Sequence, residues 1–404
     1  MNVNRKMIAG LTVAVGALSL SPVSVSAEET PETNLLQVNT EPILSIPEEF
    51  PKQFVYDSGV EIAYPEDGVK GIYVTGNSAG GGRMEQLVEL TNNTDLNAMV
   101  IDVKDDFGDL TMELQSENEV VQKYTKNYVE PEEMMATLEE NQIYPIARVV
   151  VFKDSRLAQE RPELSFTHDD GSVWANGRGE NFVNPFSKEV WEYNVDIAKQ
   201  AAKMGFKEIQ FDYVRFPEGF EHHSKTLNYT RGDYETGDLD DVQQRVQAVT
   251  DFVAYARQEL QPYGVDVSVD IFGYSATLPE APGIGQNFSK ISENVDVISS
   301  MIYPSHWGNG YFDIPKPDLE PYRLVDEYMK VENEVLANLE KPPTSRPWLQ
   351  DFTASYLGAG NYMVYDAAAV EAQIKALNDN GVNEFLLWDA ANTYTTGVDY
   401  TPND

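Results

Sequence analysis

The chain has 404 residues, 42% of them hydrophobic, and a formal net charge of −37. That length suits one large domain or two ordinary ones, and the apolar content excludes disorder as the default state. Such a charge repels nucleic-acid phosphates and anionic lipid, while the absence of cysteine excludes thiolate catalysis, disulfides and Cys-type zinc sites.

Neutral or basic polymers are therefore the compatible partners, although adaptation to a salty exterior is the simpler cause of the charge. The four histidines, His168, His222, His223 and His306, have no HExxH-like spacing. No metal or other cofactor is expected.

The chain opens with the three parts of a secretory signal. Asn4-Arg5-Lys6 is the positive start, Met7 to Leu20 is apolar, and Val25-Ser26-Ala27 is a small-residue cleavage site. The apolar run is short for a spanning helix. The reading is a signal peptide over 1–27, a secreted or extracellular product, and no stable membrane insertion after cleavage. Residues 28–68 are acidic and contain several prolines, which predicts a flexible leader with a few residues docked on the domain.

From Lys70 onward, β-rich runs alternate with helical patterns. The runs cover 71–76, 97–105, 144–154, 208–216, 266–274, 296–304, 346–354 and 383–391. Each is near-continuously apolar at its centre, as strands covered on both faces are. Helical spacing is predicted over 82–90, 131–141, 187–204, 240–260, 286–291, 319–339 and 366–378, with none after the eighth run. Eight strands separated by helices predict a closed (β/α)8 TIM barrel over 69–404. A doubly wound open sheet is the alternative, but "TGNSAGGGR" at 75–83 lacks the GxGxxG spacing and the acidic residue of a dinucleotide site.

Barrel enzymes place their sites at the C-terminal ends of the strands. Polar residues occupy those exits here. They are Asp102 and Lys104, then Arg148 and Lys153, then Asp212 and Arg215. Asp270, Tyr303 with His306, Gln350 with Asp351, and Trp388 with Asp389 follow. Alternation puts Gln210 with Asp212 on one face, and Ser268 with Asp270. Ionised carboxylates are rarely buried without partners, so Lys104, Arg148 and Arg215 are the expected counter-charges.

Two carboxyl groups flanking a glycosidic bond suffice for hydrolysis. Asp212 is the expected nucleophile or cation stabiliser, because Gln210, Tyr213 and Arg215 offer donors around it. Asp270 is the expected proton donor, because "VDIFGY" is more apolar and raises a carboxyl pKa. Asp351 and Asp389 compete for the donor role. Long loops over 168–186, 217–238 and 303–322 carry Trp174, Trp307 and Tyr311, which with Trp388 are candidates for stacking on sugar rings. The acidic run "DLDD" at 238–241 reads as a helix N-terminus rather than a calcium loop.

The stretches "KGIYVTGNSAGG", "NAMVIDVKDDFGDLTM", "PIARVVVFKD", "DIFGY", "MIYPSHW" and above all "FDYVRFP" resemble a bacterial family of glycoside-hydrolase-like domains of unknown function. The resemblance spans roughly residues 69–395. It implies a (β/α)8 barrel distantly similar to the α-amylase clan, whose nucleophilic Asp ends the fourth strand, whose donor Glu ends the fifth, and whose third acid ends the seventh. Carried over by position these are Asp212, Asp270 and Asp351. The chain departs from the clan in having Gln210 where an Arg is usual, and Asp270 in place of Glu. Two other readings compete: a non-catalytic carbohydrate-binding barrel at the cell surface, and a metal hydrolase built from Asp102, Asp212 and His306.

Overall fold

The computed structural model describes residues 55–235 and 237–401. The signal segment 1–27 and the first part of the leader lie outside the described residues. The eight strands are β1 (Lys70–Val74), β2 (Ala98–Lys104), β3 (Tyr144–Val150) and β4 (Glu208–Asp212), then β5 (Asp266–Phe272), β6 (Val297–Met301), β7 (Trp348–Gln350) and β8 (Phe385–Trp388). Each pairs in parallel with its neighbours in chain order, and β1 pairs with both β2 and β8, so the sheet closes into a barrel. Parallel strands need crossovers, and helices supply most of them: α1 (Arg83–Asn92), α2 (Pro131–Glu140), α3 (Lys188–Met204), α4 (Asp241–Leu260), α5 (Phe288–Ser292), α6 (Pro321–Ala337) and α7 (Ala367–Asp379). Among the described residues no helix follows β8, and none is long and apolar enough to cross a membrane.

Helix ends follow their sequence signals. Asp240, from the acidic run, caps α4 by accepting from the N–H groups of Val242 and Gln243. Asp366 does the same for α7 through Ala369 N–H. Gly205 ends α3 at φ +112°, and a side chain there would also collide with Val60. Val60 belongs to the 55–68 part of the expected leader, which packs on the barrel. Ile62 joins the core, and Tyr56 N–H donates to the carbonyl of Pro262.

Two apolar regions result. The larger lies between strands and helices, where Phe252 of α4 meets Phe152, Phe211 and Trp191 edge-on at 5.2, 5.5 and 6.1 Å. The smaller fills the barrel and includes Tyr73, Val100, Ile146, Trp348 and Leu386. It shares the lumen with polar rows. Asp102, Arg148, Gln210 and Ser268 are successive register partners across β2 to β5, so they share the inner face. At the N-terminal end, Arg346 closes the lumen with Glu208 at 2.7 Å, Glu384 at 2.7 Å and Tyr64 Oη at 3.1 Å.

Candidate active site

At the C-terminal end the lumen is organised by Arg148, which stands on β3 and is fully buried. Its Nη1 donates to Asp102 Oδ1 at 2.7 Å, its Nη2 to Asp106 Oδ1 at 2.7 Å, and its Nε and Nη2 to Asp212 Oδ2 at 3.0 and 2.6 Å. Charge-assisted forks of this kind hold geometry strongly. Tyr73 Oη donates to the other oxygen of Asp102 at 2.6 Å. The Tyr73 ring stacks on Trp388 at 4.1 Å, and the guanidinium sits within 5.5 Å of both ring centres. The result is an aromatic wall from β1 and β8 facing carboxylates from β2, β4 and β5.

Asp212 ends β4, and the backbone after it is strained. Tyr213 takes φ +52°, a conformation bulky residues rarely adopt. That turn aims Tyr213 N–H at Asp212 Oδ1 at 2.6 Å. The Tyr213 ring is gripped by Lys153 at 4.6 Å and Arg215 at 4.9 Å. Both oxygens of Asp212 therefore accept N–H bonds, a pattern that suits an anion.

Asp270 lies on β5, one register step beyond the Phe211–Val269 pair, as Asp212 does on β4. Its partner among the described residues is the indole N–H of Trp348, at 2.7 Å to Oδ1. Burial, then the charge of Asp212, pushes its carboxyl well above the usual range. Burial likewise lifts Asp102 to about 6 despite Arg148. For Asp106 burial is outweighed by Arg148 and Lys153, which hold it down at about 2. Burial, first of all, pushes the Tyr303 phenol well above its usual range.

The predicted residues divide. Asp102, Arg148, Asp212, Asp270, Tyr303 and Trp388 come together. Gln210 also faces the lumen, where its Nε2 donates to Ser299 at 3.3 Å rather than to Asp212. Lys104 does not join them. A register shift between Asp102 and Lys104 makes Lys104 the partner of outward-facing Val149. It therefore leaves the lumen and pairs, fully buried, with Asp154 at 2.7 Å and Asn194 of α3 at 2.8 Å. Strict alternation along β2 fails for that reason.

Arg215 lies over the rings of Tyr213 and Phe272 and donates to the carbonyl of Phe216. Asp351 accepts from Thr395, and Asp389 from the backbone of Ala391 and Thr393, so both organise the closing loop. Burial raises Asp351 to about 6. Gln350 binds Ser305 N–H and Asp318, and His306 Nδ1 lies 3.1 Å from Ser305 Oγ with its ring on Tyr303. Trp307 packs on Tyr311, Phe312 and Tyr328, and Trp174 is buried beside His223.

Sequence reasoning passed over Tyr73, Asp106 and Trp348. Trp348 was reachable, because it shares a face with Gln350 two residues on. Asp106 was not, since only the turn after β2 returns it to Arg148.

A model of the family described as "Putative glycosyl hydrolase domain" matches residues 71–394. No curated protein matches. Among solved structures the chain is similar to a hypothetical protein from Ruminiclostridium thermocellum, at 33% identity over 49% of this chain and 96% of that one, TM-score 0.42. It is also similar to the PgaB glycoside hydrolase domain from Bordetella bronchiseptica, at 11% identity over 80% and 94%, TM-score 0.55. A third is an α-amylase from Lactobacillus plantarum, at 13% identity over 79% and 70%, TM-score 0.48. The Bordetella likeness is one of fold, the closed barrel.

Proposed function

The chain belongs to that glycosyl hydrolase family, and from this premise we propose a secreted enzyme that cleaves a glycosidic bond between Asp212 and Asp270. The observation that carries the reading is the contrast between these two acids. Asp212 ends β4 and Asp270 lies two residues before the end of the neighbouring β5, each one step past a common register pair. Arg148 and a backbone N–H donate to one, while burial and then the neighbouring carboxylate push the other's carboxyl well above the usual range. Opposed environments on two carboxyls are how acid and base roles are divided.

In this reading Asp270 gives its proton to the leaving oxygen. Asp212 attacks or stabilises the anomeric carbon, with Arg148 holding it in place. Secretion rests on the three-part pattern of residues 1–27.

The test is release of reducing ends from a panel of soluble polysaccharides by wild type and Asp212→Asn. The substitution is expected to lower turnover by about 10⁴-fold or more, with the circular dichroism spectrum unchanged. Equal rates for the two proteins would overturn the assignment. One observation favours a binding barrel without catalysis: Arg148 already engages three carboxylates. Retention of a polysaccharide by wild type with no cleavage of any member of the panel would select that reading.

A further inference from the structure

We infer that the mouth binds an extended sugar chain through two exposed aromatic rings, Phe107 and Tyr356, on either side of the acid pair. The inference rests on the hydrolase reading and adds to it the subsites and the mode of attack. The aromatic residues of the long loops that sequence singled out do not serve. Trp174 is buried, and Trp307 and Tyr311 pack on each other at 4.7 Å. Phe107 and Tyr356 are 59% and 67% exposed, and both follow C-terminal strand ends.

Their backbones and contacts tie them to the site. Phe107 adjoins Asp106, which holds Arg148, and its carbonyl accepts from the N–H groups of Ser155 and Arg156, so the ring projects from a fixed turn. Tyr356 Oη donates to Ser305 Oγ at 3.2 Å. Ser305 contacts His306, whose ring rests on Tyr303 beside the acids. Around the barrel, β3, β4, β5 and β6 lie between the β2 loop and the β7 loop. A chain laid along that arc, the longer of the two between the loops, would cross the ends of the strands that carry Arg148, Asp212 and Asp270 and the turn that carries Tyr303, whereas the shorter arc crosses β1 and β8 with Tyr73 and Trp388. Rings on both flanks fit attack within a chain rather than at its end. The overall charge of −37 selects a neutral or cationic chain over an anionic one. An aromatic face supplies apolar contact area with little rotamer entropy to lose.

The test is electrophoresis of the full-length protein through native gels containing glycogen, xylan, mixed-linkage β-glucan, glycol chitosan or polygalacturonate. Wild type is expected to be retarded in at least one neutral or cationic gel and to run freely in polygalacturonate. Phe107→Ala and Tyr356→Ala should each weaken binding in that gel by about two- to tenfold. The double variant should run as in a blank gel, with an unchanged thermal unfolding midpoint. Retardation of the double variant equal to wild type would overturn the inference. So would retardation in polygalacturonate alone, or in no gel. Those results leave the hydrolase reading intact if Asp212→Asn still loses turnover, whereas full turnover by Asp212→Asn sinks that reading without touching the two rings.

Discussion

The two ends of the barrel are built on the same motif and do different things. At the N-terminal end Arg346 gathers Glu208 and Glu384; at the C-terminal end Arg148 gathers Asp102, Asp106 and Asp212. Among the described residues, each end leaves one aspartate of β5 without an ion-pair partner. Asp266 at the bottom is lifted by burial and by the charge of Glu208 to about 6, whereas Asp270 at the top is pushed well above the usual range. The bottom is covered by residues 55–68, which bring Tyr64 to Arg346 and lay its ring edge-on against Tyr144 at 5.3 Å. The top carries loops, an aromatic wall and a strained Tyr213. A buried arginine with carboxylates does not by itself mark a reactive site. In the hydrolase reading proposed above, what sets the top apart is a buried acid pushed well above the usual range beside a donor-held carboxylate, at the end bearing the long loops.

Three substitutions sharpen that contrast, in falling order of effect. Asp270→Asn should lower kcat/KM by about 10²–10⁴-fold, the range of a general acid. Wild-type activity should fall as pH rises through the raised pKa of Asp270, and the residual activity of the variant should lack that alkaline limb. A variant that keeps the limb would assign the donor elsewhere, with Asp351 and Asp389 the next to test.

Arg346→Met should cost about 3–5 kcal/mol in chemical denaturation, because it strips the fully buried Glu208 carboxyl of its guanidinium partner in the lumen. The protein that remains folded should turn over at the wild-type rate. A specific loss of kcat would mean that the two ends are coupled.

Asp266→Asn should stabilise by up to about 3 kcal/mol at pH 7. Burial and the charge of Glu208 lift Asp266 in the folded state to about 6, above the ordinary aspartate value of 3.8. The folded protein therefore holds more protons across that window, and stability falls as pH rises through it. Asparagine removes the penalty, so the gain should vanish below about pH 4. A gain that persists there would come from packing instead.

The eight strands and the main helices were readable from local signals. Strand centres are continuous apolar runs because both faces are covered, and caps such as Asp240 and Asp366 announce the helices after them. Alternation then carried the inner face of β4 and β5 correctly, which is why Gln210, Asp212, Ser268 and Asp270 fall in one lumen. It failed on β2, where the irregularity between Asp102 and Lys104 turns the lysine outward to Asp154. Nothing in "VIDVKDD" records that shift, since it arises from the pairing with β3.

Local order and composition thus determined the barrel, its closed parallel sheet and the pair of strand-end aspartates, because these depend on periods of two and 3.6 along the chain. Closure decided the rest. Arg148 rather than Lys104 became the hub, Tyr73 and Trp388 became its wall, and Asp351 and Asp389 were drawn into holding a loop. Those partnerships join residues far apart in sequence, and their geometry is set by strand register and by the competition for one buried guanidinium.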